Sequence, residues 1–309
     1  MAGPIQIGIV GIGKIARDQH IPALRADPAF HLTAGASPHA GFEGLEVHHS
    51  LDEMLDAHPD LDAVALCTPP QERYALAHAA LSRGKHVFLE KPPGSTLSEV
   101  EALRQQAKRM DRTLFASWHS RFAPAVEPAR QWLAERTIKG VRIDWREDVR
   151  QWHPGQEWIW RPGGLGVFDP GINALSIATA ILPRPFFLTD AELRFPANRA
   201  APVAADLRFS DETGIEIIAG FDWLRTGPQT WDIRVETDQG RLRLSLGGSV
   251  MAIDEAVVSQ THEAEYPGLY RRFAQLIAQG RSDVDVSPMR HVADAFLRGR
   301  RVQTAPFED

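Results

Sequence analysis

Cysteine is almost missing from this chain: Cys67 stands alone among 309 residues. That excludes an intrachain disulfide and a cysteine-built zinc site, and it fits a reducing compartment. A basic excess is missing too. Lys and Arg number 34 against 40 Asp and Glu, a formal net charge of −6, and no Lys/Arg cluster interleaves with aromatics. A phosphate backbone is therefore not an expected partner. No apolar run approaches the ~20 residues that span a bilayer, and Met1 to Gly13 carry neither a basic leader region nor a small-residue cleavage site. The expectation is a cytoplasmic protein, neither exported nor membrane-spanning. Long polar tracts, Gly/Ser or Gln/Asn tracts and internal repeats are absent as well. With a hydrophobic share of 43% and a charged share of 24%, both halves should fold. At roughly 150 residues per domain, the length suggests about two domains.

What is present begins with alternation. Ile5 to Val10 is a short apolar, β-branched run that ends in glycines, and from Lys14 the composition turns helical through His20. Apolar runs then recur at Leu32 to Ala36, Ala63 to Cys67, His86 to Leu89 and Leu114 to Ser117. Helical stretches lie between them at Leu51 to Ala57, Glu72 to Leu81 and Leu97 to Met110. Such a series predicts a doubly wound parallel sheet covered by helices on both faces. After about Phe122 the period changes. A helical stretch, Ala125 to Arg136, leads into two-residue alternation at Val141 to Trp145, Ile215 to Ile217, Trp231 to Val235 and Leu242 to Leu246. This predicts an open-faced, mostly antiparallel sheet. Helices return at Leu269 to Ile277 and Pro288 to Arg300. The expected domains are 1–121, an α/β Rossmann domain, and 122–309, an α+β substrate and oligomerisation domain whose C-terminal helix can pack back on the first.

Gly11-Ile12-Gly13-Lys14-Ile15-Ala16 is the G-x-G-x-x-G/A pattern set between a first strand and its helix. Gly11 permits the sharp turn, Gly13 lets a pyrophosphate approach the backbone, and Ala16 lets helix and strand pack closely. The alternative is a merely tight turn. An NAD site is expected to carry an acid at the end of the second strand. Here Ala36-Ser37-Pro38-His39 offers none. A 2′-phosphate then meets no repulsion, and Ser37 and His39 are candidates to donate to it, unless they are ordinary loop polars. NADP is expected to be accepted, beside NAD.

Lys91, in Glu90-Lys91-Pro92-Pro93, stands at the end of an apolar strand, where open α/β sheets place ligands. Its ammonium suits a substrate hydroxyl and developing oxyanion charge; the plainer reading is a solvated lysine. The double proline suggests a stiff turn, with a cis bond one way to build it. In Gly163 to Asn173, Asp169 before Pro170 is an ordinary helix start, with Asp169 as N-cap. If a helix begins there, Asp169 and Asn173 share a face. Trp152, His153 and Trp231 are candidate sugar contacts or core packing, and His119, after the fifth apolar strand, has a similar claim. The twelve histidines show no paired helical spacing with a carboxylate, so no metal is expected.

Taken together, Gly11 to His20, Glu90 to Pro93, Trp152 to Gly155 and Gly163 to Asn173 resemble the Gfo/Idh/MocA oxidoreductase family, named for glucose-fructose oxidoreductase, inositol dehydrogenase and MocA proteins. The likeness is strongest to its bacterial L-arabinose and D-galactose 1-dehydrogenase branch and covers nearly the whole chain. It implies that an aldopyranose gives hydride from its anomeric carbon to NAD(P), with the aldonolactone as product. Asp169 would take the hydroxyl proton, Lys91 would position the oxygen, and Asn173, His119, Trp152, His153 and Trp231 would contact the sugar. Many relatives carry histidine where this chain has Asn173, which shifts the base to Asp169. The implied cofactor contacts are Gly11, Gly13, Lys14, Ile15, Ser37, Pro38, His39, Thr68, Pro69, Pro70, Glu90, Lys91 and Arg161. A homodimer or homotetramer through the exposed sheet face is also implied. The rival readings are an inositol or dihydrodiol dehydrogenase on the same fold, and a non-catalytic dinucleotide-binding sensor.

Overall fold

The structure, a computed structural model, describes residues 3–261 and 265–308. Met1 and Ala2, on which the expectation about a leader partly rests, lie outside the described residues. In chain order the elements are β1 (Ile5–Val10), α1 (Ile21–Ala26), β2 (Phe30–Ala36), β3 (Glu46–His48), α2 (Leu51–Ala57), β4 (Ala63–Leu66), α3 (Pro70–Ser82), β5 (His86–Glu90), α4 (Leu97–Arg109) and β6 (Leu114–Ser117). They continue with α5 (Val126–Ala134), β7 (Ile138–Arg146), α6 (Val149–Trp152), α7 (Phe168–Ile181), β8 (Phe186–Pro196), β9 (Ala204–Asp211), β10 (Glu216–Asp222), β11 (Thr230–Thr237), β12 (Gly240–Ser245), β13 (Val250–Ile253), β14 (Ala256–Gln260), α8 (Glu265–Ala278), α9 (Ser287–Arg298) and β15 (Arg300–Thr304). They form two compact units: Met1–His119 with Tyr266–Val286, and Ser120–Glu265 with Ser287–Asp309. The first unit thus takes α8 from the C-terminal part, while α9 and β15 stay with the second.

In the first unit six parallel strands run in the order β3-β2-β1-β4-β5-β6. The order reverses between β1 and β4, and ligands bind outside the carboxyl ends of strands at such a switch point. Helices cover both faces, which is why the four residues of β4 are all buried and apolar. α4 starts with a capping box in which Thr96 and Glu99 satisfy each other's backbone. α8 completes the core by setting Tyr270 and Phe273 against Phe30, Phe88 and Phe115. The first helix departs from expectation: Ala16–His20 winds as a π-helix that runs directly into α1. The wider pitch inserts one extra residue, as π-turns near functional sites do, and here His20 ends fully buried.

The second unit holds a nine-stranded sheet, β14-β13-β12-β11-β7-β10-β9-β8-β15. Only the β7/β10 and β8/β15 pairs are parallel; the rest are antiparallel. One face is packed by α5, α7 and α9. Neither β8 nor β9 was among the expected strands; β9 does alternate, from Ala205 to Ser210, while β8 is irregular. A register shift between Leu188 and Asp190 breaks the alternation there. Among the described residues no helix is long and apolar enough to cross a membrane.

Candidate active site

In the first unit the glycine turn has the predicted form. Gly11 has φ +87°, and a Cβ there would lie 2.9 Å from both Thr68 N and Thr68 Cγ2. Only glycine takes that conformation and that closeness together. Above Gly13 the space is open, since a Cβ would meet nothing within 4 Å. Ala16 is fully buried under the turn. Lys14 and Ile15 follow it on the surface, Lys14 paired with Asp18. The Thr68 hydroxyl, at the end of β4, is buried with no hydrogen-bond partner, and Pro69 and Pro70 start α3 beside it. An orphaned buried donor is costly unless a ligand satisfies it. The turn, the open space and this hydroxyl fit a dinucleotide.

No carboxylate closes β2. Ser37 N donates to His48 O at 2.9 Å, and Pro38 and His39 are exposed. Arg17, which sequence reasoning passed over, grips the following loop. It donates to Gly41 O at 2.6 Å and, like Arg25, lies over the Phe42 ring.

Lys91 follows β5, and the Lys91–Pro92 bond is cis. Its backbone is held from three sides. Lys91 N donates to the buried Glu90 carboxylate at 2.6 Å. Arg73, itself buried on α3, donates to Glu90 O at 2.6 Å and also to Pro92 O. Glu90 in turn accepts from Tyr266 Oη at 2.8 Å and faces His20 Nε2 at 3.2 Å, while His20 Nδ1 meets Tyr270 Oη at 2.7 Å. Burial pushes the Glu90 carboxyl up, but the His20 hydrogen bond and the charges of His20, His119 and Arg73 outweigh it. The net effect holds Glu90 well below the usual carboxylate range. The His119 ring stacks on Tyr266, centroids 5.7 Å apart, so it sits beside the Glu90 network. Nothing in the sequence signalled Arg73, Tyr266 or Tyr270, and His20 entered only as the end of the Gly11 to His20 stretch, with no role; its partner Tyr270 is 250 residues away. The Cys67 thiol is pushed up by burial and stays protonated.

In the second unit the expected cap is corrected. α7 begins at Phe168 with Val167 as N-cap, so Asp169 is already inside the first turn and is not spent on capping. The preceding turn needs Gly166, at φ +54°, where a Cβ would fall 2.3 Å from Pro202 O. Asp169 is buried, and Asn173 follows one turn later, half-buried. Asp169 Oδ2 lies 3.7 Å from His153 Nδ1. His153 Nε2 meets Glu147 Oε1 at 3.3 Å, and the buried Glu147 also accepts from Trp231 Nε1 at 2.8 Å and Trp223 Nε1 at 3.1 Å. The Trp152 and Trp231 rings are 5.1 Å apart.

Four sequence candidates therefore come together here: Asp169, His153, Trp152 and Trp231. The residue that organises them, Glu147, was missed. With its indole N–H given to Glu147, Trp231 stacks on Trp145 at 6.0 Å between centroids and, with Trp152, makes an aromatic wall. Arg161, expected at the cofactor, falls in the second unit with an exposed side chain. A buried carboxylate beside an imidazole, with an amide one turn on and an aromatic wall, is suited to take a proton from a polyol and hold its hydroxyls.

Comparison with known proteins agrees. Residues 5–117 match the Gfo/Idh/MocA model, described as an oxidoreductase family with an NAD-binding Rossmann fold. The chain is 48% identical over 308 residues to the galactose 1-dehydrogenase of Pseudomonas fluorescens, covering 99% of each. It is 26% identical over 294 residues to a D-xylose 1-dehydrogenase (NADP(+)) of Haloferax volcanii, covering 89% of this chain and 88% of the relative. The crystal structure of D-galactose-1-dehydrogenase from Rhizobium etli matches with a TM-score of 0.96 and 56% identity, covering 100% of this chain and 99% of that one.

Proposed function

The chain belongs to the Gfo/Idh/MocA oxidoreductase family, and from that premise we propose that it is an aldose 1-dehydrogenase that oxidises D-galactose, and L-arabinose with it, to the aldonolactone. The observation that carries this reading is the Glu147–His153–Asp169 chain under a tryptophan wall, within a protein 48% identical to a galactose 1-dehydrogenase over 99% of its length. D-galactose and L-arabinose present the same ring hydroxyl configuration and differ in one exocyclic carbon. A pocket that holds ring hydroxyls therefore discriminates weakly between them, because an added carbon group changes binding far less than a lost hydrogen bond.

In this reading Asp169 accepts the anomeric hydroxyl proton as the C1–H bond breaks. His153, held through Nε2 by Glu147, steadies the Asp169 carboxylate, and Asn173 binds a ring hydroxyl. Lys91, its backbone fixed by Glu90 and Arg73, donates to the reacting oxygen. The nicotinamide, when bound, supplies the hydride acceptor. Gly11, Gly13 and Thr68 would hold the pyrophosphate of the dinucleotide, and Ser37, His39 and Arg17 would receive its adenosine ribose, so that NADP would be accepted beside NAD.

The test is reduced-nicotinamide absorbance with purified protein, each cofactor in turn, and a panel of D-galactose, L-arabinose, D-fucose, D-xylose, D-glucose and myo-inositol. Turnover of the galacto- and arabino-configured sugars is expected. Turnover of inositol alone would overturn the proposal, and so would silence across the panel with cofactor binding intact, which would favour a dinucleotide sensor.

A further inference from the structure

Outside the elements assigned to sugar and cofactor, the edge of the parallel sheet gathers three metal-ligating side chains. Glu46 and His48 are two residues apart on β3, which puts them on one face of the edge strand. His58 closes α2, where its backbone N–H bonds Met54 O and ends the helix. The β3–α2 crossover thus returns His58 to the face that carries the other two.

His48 Nε2 lies 3.5 Å from Glu46 Oε1, and His58 Nε2 lies 3.3 Å from Glu46 Oε2. One ligand atom from each of the three falls within 4.8 Å of the others. The imidazole rings meet edge-on with centroids 5.3 Å apart. Both Nε2 atoms are shielded from water, and neither has a hydrogen-bond partner. The imidazole side chains are only 15% and 20% exposed, while Glu46 remains 62% exposed.

Charge-assisted N–H···O bonds run about 2.7–2.9 Å, shorter than either separation here. A tetrahedral zinc ion with bonds of about 2.0–2.2 Å sets its ligand atoms about 3.3–3.6 Å apart, the range of both separations, although each imidazole now faces a different oxygen of the Glu46 carboxylate, which would turn one oxygen to the ion. We propose that Glu46, His48 and His58 form a binding site for a late first-row divalent cation, with Zn2+ as the reference ion. Two imidazoles and one carboxylate select such an ion over Mg2+ or Ca2+, which prefer all-oxygen shells. The exposed side at Glu46 leaves room for water to complete the coordination. Because two ligands come from β3 and one from the C-cap of α2, the ion would fasten the outer strand of the sheet to the end of that helix. No helical His spacing announces the site, since one pair is strand-spaced and the third ligand arrives across a helix.

The test uses full-length protein stripped by a chelator, dialysed, and titrated with ZnCl2 in competition with a chromophoric zinc indicator. One equivalent is expected in the wild type, with a Tm that rises on saturation. His48→Ala, His58→Ala and the exposed Glu46→Gln should each weaken binding at least roughly tenfold, the lower end of what even outer-sphere changes cost. His31→Ala, an exposed histidine on β2, should leave it unchanged. Intrinsic tryptophan fluorescence and circular dichroism report whether each variant keeps its fold, and Glu46→Gln leaves packing undisturbed. Absence of a stoichiometric site in the wild type, or zinc affinity retained in Glu46→Gln or in a folded histidine variant, overturns the proposal.

Discussion

Asp169 owes its orientation to where α7 begins, two residues earlier than an N-cap at Asp169 would place it. Placed inside the first turn of α7, with Val167 as the N-cap, its carboxylate turns to His153. General-base loss typically costs 10²–10⁴-fold in rate, so Asp169→Asn is expected to lower kcat by at least about a hundredfold. Cofactor affinity should change little, because the glycine turn and Thr68 lie in the other unit. Steady-state kinetics with D-galactose and a dinucleotide titration by fluorescence check both parts; a near-normal kcat would move the base elsewhere. At this scale the sequence revealed what local motifs encode. Gly11, Gly13 and Ala16 follow from the turn they build. Glu147 was hidden because its partners, Trp223 and Trp231, are distant in sequence and are brought to it by β10 and β11, which flank β7 on either side. Arg73 was hidden because a lone arginine in a helix looks like any solvated one, and only the fold buries it against the carbonyls around Lys91.

At the scale of elements, the proposed acceptance of NADP rests on the end of β2. Ser37 to Phe42, the stretch that follows Ala36, carries no acid and is braced by Arg17 and Arg25 around Phe42. Introducing a carboxylate with Ser37→Asp is expected to repel a 2′-phosphate and accept the ribose hydroxyls of NAD. The ratio of kcat/KM for NADP over that for NAD should fall at least roughly tenfold, about 1.4 kcal/mol. An unchanged ratio would remove this loop from cofactor choice. Five of the six strands and the helices of the first unit were legible because apolar runs and helical stretches alternate along the chain; the three-residue edge strand β3, Glu46–His48, has no apolar run and was not. β8 was not, since a bulge upsets its period; β9 alternates from Ala205 to Ser210 but was overlooked; and the π-helix at Ala16–His20 was not, since its extra residue is justified by the buried His20–Glu90 contact.

For the whole molecule, charge burial shapes the pH range of stability. Glu90, and with it Asp144 and Asp211, is held below the ordinary carboxylate range. For Asp144 and Asp211 too, burial works upward and is outweighed. At Asp144 the arginines around it prevail, Arg142 foremost; at Asp211 the hydrogen bonds from Thr213 and Ile215 do. A depressed folded-state pKa contributes stability above the unfolded value and loses it as pH falls. Stability should therefore decline below the ordinary glutamate value of 4.5, with each such group adding at most about 1.4 kcal/mol per pH unit. Asp232, raised by burial, opposes this in part. Burial raises Cys67 and Tyr270, so their contribution is complete below 9.0 and 10.0 and fades as pH rises past those values. Urea unfolding across pH should show a plateau between the two limits. In Glu90→Gln the acid limb should be shallower, and an acid limb identical to wild type would contradict the assignment.

The central claim is that hydride leaves the anomeric carbon of a galacto-configured sugar. D-Galactose deuterated at C1, incubated with the protein and NADP, tests it most directly when the reduced cofactor is read by mass spectrometry. The account predicts that the reduced nicotinamide carries the deuterium and that the sugar is recovered as its lactone or aldonic acid. Unlabelled reduced cofactor, or none at all from protein that binds NADP, would contradict it.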